Sequence, residues 1–176
     1  LPIGIFDEEK LYEFERQRSN NVNKYDCLIY FKNRKEDELD FVRKKLNNYK
    51  FKIFSYGDYK NNSLISTSLI SRFGIVIGST ESQGIAINEL LGTNLPLFVL
   101  DKKENNYEGI KLLGTSVPYW NNLCGKIIED LESFDSAFDL FLNNIDLNKY
   151  QPNKLIFEKL SFQKMLSNLY FQFDNF

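Results

Sequence analysis

Short apolar runs recur along this chain with room for one helix between neighbours, and that rhythm constrains the fold more than any other feature. The runs YDCLIYF at 25–31, FKIFSY at 51–56, GIVIG at 74–78 and LPLFVL at 95–100 are rich in strand-forming residues. The stretches between them carry apolar residues at helical spacing: Leu39, Val42 and Leu46 within 36–48, and Leu64, Ile65, Leu69 and Ile70 within 63–71. A third helix is expected over 83–91, with Gly92 as its stop. Strands alternating with helices predict βαβ units, hence a parallel sheet with helices on both faces. Strands that are apolar throughout fit a sheet covered on both sides.

A charged helical pattern at 7–18, with Leu11 and Phe14 on one face, precedes this rhythm, and the polar stretch 19–24 reads as a linker. The expected division is therefore a helix and linker at 1–24 and one α/β domain at 25–176. After the fourth strand the sequence predicts a charged loop, short extended pieces at 116–118 and 126–128, and helices at 133–143, 152–160 and 161–173. Pro152 suits a first helical turn and Ser161 a cap. The fold class is α/β: a Rossmann-like parallel sheet with helices on both faces and a helical C-terminal tail.

Composition removes several classes of function. Lys and Arg number 22 against 24 Asp and Glu, a net charge of −2, so there is no electrostatic footprint for nucleic acid or an anionic membrane. Histidine is absent, which excludes His-based triads and His-containing zinc sites. Cys27 reads as a core thiol and Cys124 as a loop thiol without a partner; two cysteines make no disulfide framework, and a reducing, cytoplasmic setting is expected. No apolar stretch reaches the length of a membrane span. The chain begins at Leu1 rather than Met, which fits a piece of a longer protein.

Ligands of open parallel sheets bind outside the carboxyl ends of the strands, so the turn after the third strand, STESQG at 79–84, carries the argument. Gly84 lets a backbone approach a ligand closely. The helix expected to start near Ser82 directs free N–H groups outward, a geometry that suits a diphosphate. Glu81 and Glu89 stand eight residues apart, about 800° of helical rotation, so both face one crevice. Each carboxylate can accept two hydrogen bonds from a diol, and a sugar and a ribose joined by a diphosphate present diols in that order. Two Glu residues at this spacing also arise on solvated helices; their place around a Gly turn between two strands raises the functional reading. Ser82 has no histidine to act as its base, and Glu89 lies along the helix from Glu81 rather than across a cleft, which argues against a glycosidase pair.

The segment FGIVIGSTESQGIAINELLGTNLPLFVLD resembles the donor-binding motif of GT-B glycosyltransferases, in which two Glu residues separated by seven bracket a Gly-containing turn. The resemblance covers roughly 26–169; GTSVPYWNNLCGKII and YQPNKLIFEKLS are similar to the tail of bacterial and viral members. It implies that Glu81 contacts the transferred sugar, that Ser82, Gln83, Gly84 and Ile85 supply donor-binding groups, and that Glu89 holds the ribose. It also implies that Lys32 and Arg34, with Lys35 beside them, grip the diphosphate. Gly57 and Asp58 fall where the family's base-binding loop lies. The family's usual Glu-Gly-Phe-Gly turn is replaced here by ESQG.

By the residues alone, Lys32, Arg34 and Lys35 are equally well solvated loop charges before a helix, and Tyr119 and Trp120 fit packing under the sheet better than ligand stacking. The function implied is retaining transfer of a sugar from a nucleotide diphosphate sugar to a hydroxyl of a glycan, lipid or protein. No metal-ligand cluster is visible and no cofactor is implied, so metal independence is expected. The chain holds one sheet, the donor-side one, so an acceptor-binding domain is expected upstream or in a partner subunit. The rivals are a non-catalytic nucleotide or nucleotide-sugar binding module on a flavodoxin-like sheet, and a TIR-like or nucleoside-transferring domain with a small α/β fold that needs a single Glu.

Overall fold

A computed structural model describes residues 4–107 and 109–173. In chain order the first elements are α1 (Glu8–Asn20), β1 (Tyr25–Phe31), α2 (Glu36–Lys45), β2 (Phe51–Ser55), α3 (Asn61–Ser68), β3 (Ser71–Ile77), α4 (Ile85–Gly92) and β4 (Leu97–Leu100). There follow β5 (Glu104–Tyr107), β6 (Ile110–Leu113), β7 (Gly125–Ile128), α5 (Phe134–Asp146), the short α6 (Asn153–Leu155), a π-helical turn (Ile156–Leu160) and α7 (Phe162–Phe173). Five strands form one parallel sheet in the order β2-β1-β3-β4-β7. Helices pack on both faces, so the chain has the Rossmann-like α/β fold that the sequence predicts.

Alternation along the strands sorts the core into two layers. On one face Leu28, Tyr30, Val76, Leu97 and Val99 pack with Leu64 of α3 and with Ile87, Leu90 and Leu91 of α4. Leu11 of α1 and Leu155, Ile156 and Leu160 of the tail join that layer. On the other face Cys27, Ile29, Phe73, Ile75, Ile77, Phe98 and Leu100 meet Leu39, Val42 and Leu46 of α2 and Phe134, Phe138 and Phe141 of α5. The Phe98 ring lies 5.2, 5.3 and 5.4 Å from those three α5 rings. Each such aromatic pair adds about 1 kcal/mol beyond its buried area.

The described part of 1–24 shares this core. The N–H of Ile5 donates to the carbonyl of Leu160, and that of Phe162 to Phe6. The buried Arg18 guanidinium ties α1 to the carbonyls of Ser68, Ser71 and Arg72 at 2.9, 3.0 and 3.1 Å.

Five local expectations change. The helix expected from Gln83 begins at Ile85, because Gly84 adopts φ 61° and left-handed backbone cannot continue a helix upstream. Gly92 lies inside α4, where a Cβ would come within 3.0 Å of the Phe6 ring; Asn94, at φ 58°, turns the chain instead. The charged loop contains the antiparallel hairpin β5–β6. The piece at 116–118 is bent rather than extended, since the Asp101 carboxylate accepts from the Ser116 N–H and hydroxyl and from the Thr115 hydroxyl at 2.7, 2.8 and 2.7 Å. Cys124, expected as a loop thiol, is fully buried in the first core layer, and burial pushes its pKa up to about 11.

Candidate functional site

The chain runs from β1 to the sheet edge at β2, then back across β1 to β3. Connections diverge at that reversal, which leaves a crevice at the carboxyl ends of β1 and β3. A cleft of about 470 Å³ occupies it, lined by Tyr30 and Lys32 from β1 and its loop, Tyr56, Gly57, Tyr59 and Asn61 after β2, and Glu81 to Ile87 with Glu89 after β3.

Glu81 and Glu89 thus line one hollow. Glu81 is pinned by its own N–H, which donates to the carbonyl of Thr115 at 2.9 Å. Its carboxylate meets the Lys32 ammonium at 2.7 Å, with the two side chains only 13% and 15% exposed. The Lys32 ammonium also lies 4.1 Å from the centre of the Tyr56 ring, within cation–π range. Glu89, just over one turn into α4, accepts from the Asn61 amide at 2.8 Å. Burial raises its pKa above the ordinary value, and the Asn61 hydrogen bond offsets this only in part. Behind them Tyr30 and Tyr59 meet edge to face at 6.0 Å and share a hydrogen bond between phenols. Burial above all raises both phenols, so both are neutral donors and acceptors near pH 7.

The turn between the carboxylates is held by its surroundings. The amide of Asn88 donates to the Gln83 carbonyl at 2.8 Å, and the Tyr119 hydroxyl to the Gln83 side-chain oxygen at 3.2 Å. Gly84 packs so closely on Pro118 that an added Cβ would lie 3.1 Å from its ring. No side chain caps α4. The N–H groups of Ile85, Ala86 and Ile87 lie in the first turn of α4, where no intrahelical acceptor exists, and these three residues form part of the cleft wall.

The residues expected in the site divide. Lys32, Gly57, Glu81, Ser82, Gln83, Gly84, Ile85 and Glu89 all border the cleft. Arg34 does not. Its guanidinium donates to the carbonyls of Gly78 and Leu100 at 2.8 and 3.0 Å and forms a fork with the Glu38 carboxylate. Burial alone would raise Glu38, but the hydrogen bond and charge of Arg34 prevail and hold it below the ordinary carboxylate range. Asp58 is exposed beside Gly57 and lies outside the lining, and Lys35 is the exposed N-cap of α2. Tyr119 and Trp120 pack against the first core layer, as expected, and Tyr119 also braces the turn.

Sequence reasoning missed Tyr30, Tyr56, Tyr59 and Asn61. The aromatic residues flanking Gly57 and Asp58 were the available signal for Tyr56 and Tyr59; nothing marked Asn61. Among the described residues no group of three or more His, Cys, Asp or Glu is arranged to hold a metal ion, and no helix is long and apolar enough to cross a membrane. No protein-family pattern, curated protein or solved structure matches this chain.

Proposed function

We propose that this chain is the donor-binding domain of a GT-B type glycosyltransferase, and that its cleft takes a nucleotide diphosphate sugar. The observation that carries the reading is that Glu81, before the uncapped mouth of α4, and Glu89, one turn into it, line one cleft together with Lys32, which pairs with Glu81. The ribose diol donates to Glu89, the sugar hydroxyls donate to Glu81, and the diphosphate lies against Lys32 and the first amides of α4. These donors favour the leaving diphosphate as its charge grows, an electrostatic contribution to the transition state. In a retaining transfer the departing phosphate oxygen takes the acceptor's proton while the acceptor oxygen bonds the anomeric carbon on the same face. The acceptor site belongs to a second domain, upstream or in a partner.

The strand order is compatible with this: a 3-2-1-4-5-6 sheet that lacks its outermost strand has the order seen here. Flavodoxin-like sheets share that order. Together with the raised pKa of Glu89, this favours the TIR-like, nucleoside-transferring domain as the second reading, since such chemistry needs one buried carboxylate.

The test is calorimetry and thermal shift with UDP, GDP and their sugars on wild type and Glu89→Gln. Binding to the folded state raises Tm, and removing the ribose carboxylate is expected to weaken nucleotide affinity by about tenfold or more. A wild-type protein that binds none of these compounds sinks the reading. Cleavage of a nucleoside N-glycosidic bond, lost in Glu89→Gln, would put the second reading in its place.

A further inference from the structure

We infer that the Lys32–Glu81 ion pair makes the cleft selective for the intact nucleotide sugar over the free nucleoside diphosphate. This rests on the donor-binding reading above and adds to it the chemical feature by which the site tells its substrate from its product.

The cleft is lined by one cation, Lys32, and two carboxylates, Glu81 and Glu89. A diphosphate entering it needs Lys32, because no other basic side chain borders the hollow among the described residues. Lys32, however, is already spoken for: its ammonium is 2.7 Å from Glu81, and both side chains are largely withdrawn from water. Drawing Lys32 onto phosphate strips Glu81 of its counter-charge while the carboxylate stays shielded, and a buried charge left unpaired is costly. A free nucleoside diphosphate brings nothing to offset that cost. A nucleotide sugar brings hydroxyl donors on the far side of its diphosphate, where Glu81 waits, and each donor replaces part of what Lys32 withdrew. Sites built to hydrogen-bond a hydroxyl discriminate strongly against the analogue that lacks it, for this reason. Once the sugar has left, Glu81 again has Lys32 as its nearest partner, so re-formation of the pair speeds departure of the diphosphate product.

The experiment compares dissociation constants for UDP, UDP-glucose, GDP, GDP-mannose and inorganic pyrophosphate, by calorimetry on wild type and Glu81→Gln. Circular dichroism melting checks that the variant is folded. In wild type the nucleotide sugar of the accepted base is expected to bind about tenfold or more tighter than its diphosphate. In Glu81→Gln the diphosphate and pyrophosphate are expected to bind tighter than in wild type, and the ratio falls towards unity. Glu81→Asp retains the charge but lengthens the contact with Lys32, and moves the ratio the same way by less; it serves if Glu81→Gln does not fold. Diphosphate affinity unchanged or weakened in both variants overturns the inference while leaving the donor-binding reading intact. Absence of all binding to wild type overturns both.

Discussion

Lys32 and Arg34 leave the same loop two residues apart and end in different settings. Lys32 turns to the α4 side and makes one ion pair, with Glu81, in the cleft. Arg34 turns to the α2 side, where its side chain is 6% exposed and stitches the strand ends at Gly78 and Leu100 to Glu38. A planar guanidinium with five donors can satisfy two carbonyls and a carboxylate together, whereas an ammonium on a flexible stem makes point contacts that are easily exchanged. The fixed cation holds the end of the sheet, and the exchangeable one faces the cleft. Counting partners therefore separates a charge that braces the sheet from one that lines the cleft, which sequence position alone places together.

The comparison is tested hardest by removing each cation. Arg34→Met leaves Glu38 without its counter-charge and two strand-end carbonyls without a donor. It is expected to lower unfolding free energy by about 3 kcal/mol in urea titrations. Lys32→Met also leaves a carboxylate, Glu81, without its counter-charge, but it orphans no backbone carbonyl, so it is expected to cost less than Arg34→Met. Equal losses in the two variants would erase the distinction.

Gly84 stands between the two regions, since it shapes the cleft through backbone alone. Gly84→Ala places a Cβ on a residue at φ 61° and within 3.1 Å of the Pro118 ring. The left-handed conformation costs a non-glycine residue about 1–2 kcal/mol, and a loss of that order is expected in thermal or urea unfolding. Gly84→Asn sharpens the point. Asn tolerates left-handed backbone better than Ala, so it should recover part of the loss, while its Cβ still presses on Pro118. If Asn and Ala cost the same, the contact with Pro118 rather than the backbone conformation governs the turn.

Much of this was legible in the sequence, and the exceptions share a cause. Four of the five sheet strands and the inward faces of the helices between them follow from local periodicity, with the fifth strand read only as a short extended piece at 126–128: Leu39, Val42 and Leu46 declare an inward face wherever the helix sits. Glu81, Gly84 and Glu89 were legible because strand, turn and helix follow one another directly in the chain. Arg34 was misplaced because its partners, Gly78 and Leu100, come from two other strands, and backbone carbonyls leave no trace in sequence. The Asn61–Glu89 bond joins residues 28 positions apart across two helices, and so lay beyond local reading. The start of α4 shifted because Gly84 adopts left-handed backbone; it packs there against Pro118, 34 positions on, in a segment held by Asp101, contacts that local reading does not reach.

The smallest expected effect concerns two carboxylates: Glu38, which pairs with Arg34, and Glu89, which lines the cleft and accepts from Asn61. Glu38 is held below the ordinary range by Arg34, so its ionised form favours the folded state. Glu89 goes the other way: burial raises it above its ordinary 4.5, so its ionised form disfavours the folded state. Below pH 4.5 Glu89 is protonated in both states and costs nothing. As pH rises past that value the unfolded chain ionises first, stability is lost until the folded-state pKa is passed, and the deficit then persists to pH 7. Glu89→Gln removes the charge and retains an oxygen for Asn61. It is expected to raise Tm at pH 7, by less than Gly84→Ala lowers it because the group is only partly buried, and the gain should vanish below about pH 4. A carboxylate retained at a cost to stability is what a binding site requires and a scaffold does not. Should Glu89→Gln instead lower Tm at pH 7, Glu89 would be a structural partner in the manner of Glu38, and the proposed donor site would lose the second of its two acids.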